Sequence, residues 1–253
     1  MLGHVKQFFY MSVEQFAQAI ECAKTFASDS GPDLGATPAR TKVIGMIGGE
    51  PLLHPHFECL AEIMQKAIPN KFQRGLWTGI DWRKSRYSSI IQDVFGYINE
   101  NHHKDPRPSL HSPVLVAIRD VVADEDQRNR LIDDCWLQKT WSSAITPKGM
   151  FFCEVAAAMD TVFNGPGGLP VAANCWARPL ADFQEQIDRW CPQCGIPLQL
   201  RGRLDHEEID DVSTSNLKEL MAIGSPRVES GQFAVYDPSN PQEQRSCPWR
   251  YKQ

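Results

Sequence analysis

No stretch of the 253-residue chain approaches the roughly 18 consecutive apolar residues that a membrane-spanning helix needs, so no membrane partner is expected. The first ten residues, Met1 to Tyr10, lack the basic-then-apolar pattern of a secretory signal, and a soluble, cytoplasmic protein is expected. Basic excess is missing as well. Lys and Arg total 26 against 31 Asp and Glu, giving a net charge of −5, so there is no electrostatic footprint for nucleic acid. No internal repeat is visible. With 42% hydrophobic residues the chain buries a sizeable core, enough for one large domain or one domain plus a small appendage.

Cysteine, by contrast, is plentiful. In a reducing compartment eight cysteines point to metal binding or catalysis rather than disulfides. Cys22 and Cys59 stand alone in the first half. Cys135, Cys153, Cys175, Cys191, Cys194 and Cys247 fall in the second, which marks a cluster-binding C-terminal region.

The first half alternates helix and strand signals. Ser12 followed by Gln15 is a capping-box start, and Phe16, Ile20, Ala23 and Ala27 recur on one face, predicting a helix over Val13 to Ser28. A Gly/Pro/Ser-rich loop runs from Asp29 to Arg40. The apolar run Lys42 to Ile47 predicts a parallel strand buried on both faces. Pro55 opens a second helix with the stripe Phe57, Leu60, Ala61, Met64 and Ile68. A strand over Arg74 to Ile80, a helix over Arg83 to Asn99 and a buried strand over Pro113 to Val122 complete a βα pattern, which implies an α/β sheet or barrel. Beyond about residue 130 the pattern changes. There we expect a hairpin turning at Thr146-Pro147-Lys148-Gly149, a helix over Glu154 to Phe163, a loop over Asn164 to Pro170 and an irregular tail from Ser225.

One motif lies between the first strand and the second helix: Gly48-Gly49-Glu50-Pro51, at the sheet edge where α/β folds bind ligands. Two glycines let a ligand approach the backbone, Glu50 offers a carboxylate to a cationic amine, and Pro51 stiffens the exit. As a bare tetrapeptide it also suits an ordinary turn. With its continuation Leu52-Leu53-His54-Pro55 it resembles the Gly-Gly-Glu-Pro motif of the radical S-adenosylmethionine (AdoMet) enzymes. The resemblance covers about 120 residues. It implies a partial βα barrel lacking its first strand, with Gly48, Gly49, Glu50 and Pro51 holding the methionyl amine of AdoMet. His54 and His56 read as capping or lining the start of the second helix rather than as metal ligands. In that family a Cys-x-x-x-Cys-x-x-Cys loop binds a [4Fe–4S] cluster, and no cysteines here have that spacing. The expectation is a truncated or degenerate member.

The second cysteine set carries a further resemblance. Cys135 and Cys153 flank the hairpin, and Cys191 and Cys194 form a Cys-x-x-Cys pair. The arrangement resembles the twitch module, a shortened SPASM domain, although Gly149 stands one residue nearer Cys153 than the family spacing has it. The resemblance implies one auxiliary [4Fe–4S] cluster on Cys135, Cys153, Cys191 and Cys194. Thiolate-only sites do not separate iron–sulfur from zinc by sequence alone, and Cys175 or Cys247 are alternative members. Trp136, Trp141, Phe151, Phe152 and Trp190 are candidates to shield a cluster, or ordinary core.

The domain reading is therefore 1–130 as the partial barrel, 131–224 as the twitch/SPASM-like module and 225–253 as the tail. By resemblance, a full-length form generates a 5′-deoxyadenosyl radical and oxidises or modifies a small-molecule or peptide substrate, fed by an electron donor such as flavodoxin or ferredoxin. The competing reading is a non-catalytic zinc or iron–sulfur binder. Thr78, Asp81, Arg119 and Asp120, near expected strand ends, are candidates to face the cavity.

Overall fold

Ser12 and Gln15 bond reciprocally, the Gln15 amide donating to Ser12 Oγ at 3.1 Å and the Ser12 amide to Gln15 Oε1 at 3.0 Å. This capping box starts helix α1 (Val13–Ser28), at the bounds that periodicity predicts. The computed structural model describes residues 2–6, 10–28, 42–100, 110–140 and 143–239, so the expected loop Asp29 to Arg40, Trp141 and Cys247 lie outside the described residues. The chain divides into two compact units, one of residues 9–104 with 170–178, the other of 1–8, 105–169 and 179–253.

In the first unit, β1 (Ile44–Met46), α2 (Phe57–Ala67), β2 (Arg74–Thr78), α3 (Ser88–Val94) and β3 (Tyr97–Glu100) follow α1. The strands form one parallel sheet in the order β1-β2-β3, with Gly45 opposite Gly75 and Leu76 opposite Ile98. The expected stripe on α2 is the core: Phe57, Leu60, Ala61, Met64 and Ile68 are all buried, packed with Leu76, Ile91 and Phe95. At about 25 cal/mol per Å2 of apolar surface removed from water, this cluster is the main stabilising term of the unit.

Several expectations change here. β1 is not buried on both faces, since Gly45 is exposed and only Met46 is fully covered. The helix expected over Arg83 to Asn99 is confined to α3, and Tyr97 to Asn99 are strand instead. Gly96 is the reason for the break: it lies against the Lys71 backbone, where an added Cβ would stand 2.6 Å from the Lys71 carbonyl oxygen, and its amide donates to that oxygen. The fold is α/β, but the described strands close no barrel.

The second unit contains β4 (Leu110–His111), α4 (Ile118–Val121), α5 (Glu125–Asp133), α6 (Trp136–Thr140), β5 (Ala144–Thr146), β6 (Gly149–Phe151), α7 (Glu154–Val162), α8 (Gln184–Trp190), β7 (Arg203–Leu204), β8 (Asp210–Val212), α9 (Thr214–Ala222), α10 (Pro226–Glu229) and β9 (Phe233–Val235). β5 and β6 form the expected hairpin, Thr146 pairing with Gly149 across Pro147 and Lys148. Within the run Pro113 to Val122, Pro113 and Leu115 to Ile118 are buried as expected, but Val114, Arg119, Val121 and Val122 are only partly covered, Asp120 is exposed, and the run is not a strand. Its backbone groups are spent elsewhere: Val114 O accepts from the Gly195 amide, Leu115 O from the Ser213 amide and Asn216 Nδ2, and the Ile118 amide donates to Cys194 O. It then continues as α4. The tail is not irregular throughout, because Ser225 caps α10 and β9 pairs in parallel with β8. Among the described residues no helix is long and apolar enough to cross a membrane.

Candidate functional site

The Gly48–Pro51 loop leaves the C-terminal end of β1, and its backbone is exposed at both glycines. Gly48 takes φ +150°, a conformation that glycine alone adopts readily, and an added Cβ there would meet nothing within 4 Å. Glu50 turns back to the sheet. Its Oε1 accepts from the Leu52 amide at 3.0 Å and the Thr78 hydroxyl at 2.8 Å, and its Oε2 from the Gly79 amide at 2.8 Å. The carboxylate thus joins the ends of β1 and β2, and Oε2, with a single donor, retains acceptor capacity.

An open cleft of about 540 Å3 adjoins this edge, with Leu52, Leu53 and Ile80 as apolar lining and Asp81, Lys84 and Arg86 as its charges. Lys84 pairs with Asp81 at 3.0 Å. His54 is buried, with Nε2 2.9 Å from Met11 O and Nδ1 accepting the His56 amide, so it ties down the start of α2. Of the four candidates for a cavity-facing role, Thr78 and Asp81 belong to this edge. Arg119 and Asp120 do not: they lie on α4 in the other unit, where Arg119 pairs with Glu219 at 2.9 Å and Asp120 accepts the Ser215 amide.

The cysteines of the second unit come from three places in the chain. Cys135 links α5 to α6, Cys153 caps α7 directly after the hairpin, and Cys191 and Cys194 enclose one helical turn after α8. All four are buried. Burial is the largest influence on three of their thiols, pushing Cys153 up to about 12 and raising Cys191 and Cys194 well above the ordinary range. Their mutual charge acts in the same direction. Cys153 feels Cys135, Cys191 feels both, and Cys194 feels all three, so every pairing among the four interacts.

N–H donors oppose that rise. The Ala156 and Val155 amides at the start of α7 lower the Cys153 thiol, the Ile196 amide donates to Cys194 Sγ at 3.4 Å, and Gln138 Nε2 to Cys191 Sγ at 3.8 Å. Phe151, Phe152 and Trp190 are buried in the same unit. Among the described residues no group of three or more His, Cys, Asp or Glu side chains is arranged to hold a metal ion. The thiols therefore share one buried electrostatic neighbourhood without a metal-ligating arrangement. By residue type they are four soft donors, two of which, Cys191 and Cys194, accept an N–H at sulfur.

The Cys-x-x-Cys turn is held from outside. Asn216, fully buried, donates from Nδ2 to Gln193 O at 2.9 Å, and the Gly195 and Ile118 bonds to neighbouring backbone fix its far side. The hairpin that carries Cys153 is anchored by Lys148, whose ammonium pairs with the buried Asp160 carboxylate and donates to Gly165 O at 2.6 Å. Cys175 does not join the four; it lies in the other unit beside Cys22.

A second polar array had no signal in the sequence. His4 Nε2 donates to Asp210 Oδ2 at 3.1 Å while Nδ1 lies 2.6 Å from Ser225 Oγ, and Arg227 Nε reaches the same Asp210 oxygen at 2.5 Å. The residue types are those of a hydrolytic triad. His4 and Ser225 are at most 1% exposed, however, and Ser225 is spent capping α10, so the array ties the chain start to α10 rather than meeting a substrate. Comparison with protein-family models, curated proteins and solved structures gives no match.

Proposed function

We propose that this chain is an iron–sulfur protein of the radical AdoMet type, with an auxiliary [4Fe–4S] cluster held by Cys135, Cys153, Cys191 and Cys194. What supports this reading is that four buried thiols from three chain segments lie near enough to feel one another's charge. A cationic cluster reverses the cost of burying them, because thiolates repel one another and resist burial only while no metal neutralises them. With four protein ligands such a cluster has no open iron, which suits electron transfer better than substrate ligation.

Gly48 to Pro51 support the AdoMet half of the reading. The exposed glycine backbone and the spare acceptor capacity of Glu50 Oε2 suit an ammonium group, and the adjoining cleft supplies apolar contact beside charged groups. If bound, AdoMet would supply radical chemistry at this edge, and Gly48, Gly49, Glu50 and Pro51 would hold its methionyl amine. The proposed substrate is a small molecule or peptide, with a flavodoxin- or ferredoxin-like donor providing electrons. The sequence contains no Cys-x-x-x-Cys-x-x-Cys, and this favours a second reading in which the chain binds metal or AdoMet without cleaving the latter.

The test is anaerobic reconstitution with iron and sulfide. The expected outcome is about four irons and about four sulfides per chain, with the charge-transfer absorbance lost when Cys191 and Cys194 are both replaced by Ala. AdoMet should bind but remain uncleaved under strong reductant. Stoichiometric zinc in place of iron, or iron that survives the double replacement, would overturn the cluster assignment.

A further inference from the structure

Cys22 and Cys175, far apart in sequence, are brought together within the first unit. Asn174 and Trp176, on either side of Cys175, are hydrogen-bonded to the C-terminal half of α1. The Asn174 amide donates to Cys22 O at 3.1 Å, the Thr25 hydroxyl to Asn174 Oδ1 at 2.6 Å, and the Trp176 indole to Thr25 Oγ1 at 2.7 Å. The Trp176 ring meets Phe26 edge-on at 5.4 Å. Asn174 takes the left-handed conformation, φ +56°, which Asn tolerates better than most residues, and Cys175 follows it into the interior at 1% exposure. Cys22 is 9% exposed. Both are thiols, and Cys175 lies near enough to feel the charge of Cys22.

We propose that Cys22 and Cys175 are a redox-switchable pair whose disulfide latches residues 174–176 onto α1. The oxidant is a small disulfide such as oxidised glutathione. One cysteine thiolate attacks it, forming a mixed disulfide and releasing one glutathione thiol; the second cysteine thiolate then displaces the other glutathione. Two S–H bonds are lost and one S–S bond is formed. The two electrons and two protons end on two glutathione thiols.

The bond from the Asn174 amide to Cys22 O holds the two backbones together one residue from the pair, which limits how far the segment must move for the disulfide to close. Burial keeps both groups as unreactive thiols, which makes oxidation slow at neutral pH and faster in mild alkali. The same burial shields the finished disulfide from reductant. Cys59, exposed on α2, should stop at a single glutathione adduct.

The experiment is to incubate the full chain with oxidised glutathione in mild alkali, alkylate the remaining thiols, digest and map by mass spectrometry. The expected product is a linked pair of peptides carrying Cys22 and Cys175, two hydrogens lighter than the sum and free of glutathione, while Cys59 carries the adduct. Proteolysis within 170–178 should slow about tenfold in the linked form and recover on reduction. Cys22→Ser and Cys175→Ser should each abolish this protection. If either variant fails to fold, the wild-type peptide map decides alone. Alkylation of Cys22 and Cys175 after Cys59 is fully modified, or linkage of either to a different cysteine, would overturn the proposal.

Discussion

The Thr78 hydroxyl donates to Glu50 Oε1 at 2.8 Å, so one side chain at the end of β2 fixes the only carboxylate of the loop that follows β1. Glu50 takes two further bonds from the Leu52 and Gly79 amides, and all three donors lose their partner if the carboxylate is removed.

An ordering follows for two substitutions at this edge. Thr78→Val removes one donor to Glu50 and the acceptor for the Ile80 amide, and should cost about 1–2 kcal/mol. Glu50→Gln should cost more, about 2–3 kcal/mol, because either orientation of the amide sets an NH2 against an existing donor. Urea unfolding of each variant measures this. Equal stabilities for wild type and Glu50→Gln would mean that water, not the carboxylate, satisfies these donors.

For the metal-free chain, the thiols predict the alkaline limb of stability. Cys153 is raised from an ordinary value of 9.0 to about 12 by burial, so between those pH values the folded state holds a proton that the unfolded state has released. Its contribution is present in full below pH 9.0 and is lost as pH rises toward about 12. At ~1.4 kcal/mol per unit the loss is on the order of 4 kcal/mol, and Cys191 and Cys194 act in the same direction. Unfolding measured against pH should show the decline, and Cys153→Ser should flatten it. Iron loading should release protons and weaken as pH falls, because ligation requires thiolates.

Sequence legibility tracked the range of the interactions. The capping box at Ser12, the buried stripe on α2 and the turn at Pro147 and Lys148 depend on residues a few positions apart, and each stands where the pattern put it. Val114 to Ile118 did not, because a short apolar run reads alike as buried strand or buried turn and helix until its partners are known. Those partners, Gly195, Ser213 and Asn216, lie far along the chain. The Gly-Gly-Glu-Pro loop could be placed at a strand end from its neighbours, but the bond from Thr78 to Glu50 could not. Nor could the meeting of Cys22 with Cys175 or of His4 with Asp210, since each joins residues that no local pattern relates.

Lys148 and Asp160 should respond unequally to replacement. Asp160 is fully buried and Lys148 is about one-third exposed, so Lys148→Met leaves a carboxylate without its cation, at a cost of about 3–5 kcal/mol. Asp160→Asn keeps an acceptor for the Gly167 amide, and Lys148 still reaches the Asp160 and Gly165 carbonyls. Its cost should be smaller by at least about 1 kcal/mol. Chemical denaturation of the two variants measures the difference, and a larger loss in Asp160→Asn would show that the cation rather than the carboxylate is the strained partner.

Gly195 tests whether the Cys-x-x-Cys turn must sit where it does. A Cβ at this position would stand 2.1 Å from Pro113 O and 2.8 Å from Val116 O, both backbone atoms that no side-chain rotation can clear. Gly195→Ala must therefore push the turn away from residues 113–116, straining the bonds from the Gly195 amide to Val114 O and from the Ile118 amide to Cys194 O. The Ile196 amide that donates to Cys194 Sγ moves with it. On the proposed assignment, cluster loading should suffer beyond any loss of global stability, because Gly195→Ala displaces one of the four proposed thiolate ligands. Iron content after reconstitution should fall at least about twofold while most of the helical circular dichroism signal persists. Gly224→Ala, remote from the cysteines in the turn after α9, is the control that should lower stability through its φ of +65° without lowering iron content. If both variants lose iron in proportion to stability, the Cys-x-x-Cys turn has no special positional requirement; if only Gly195→Ala does, close backbone approach at Gly195 is what places Cys194.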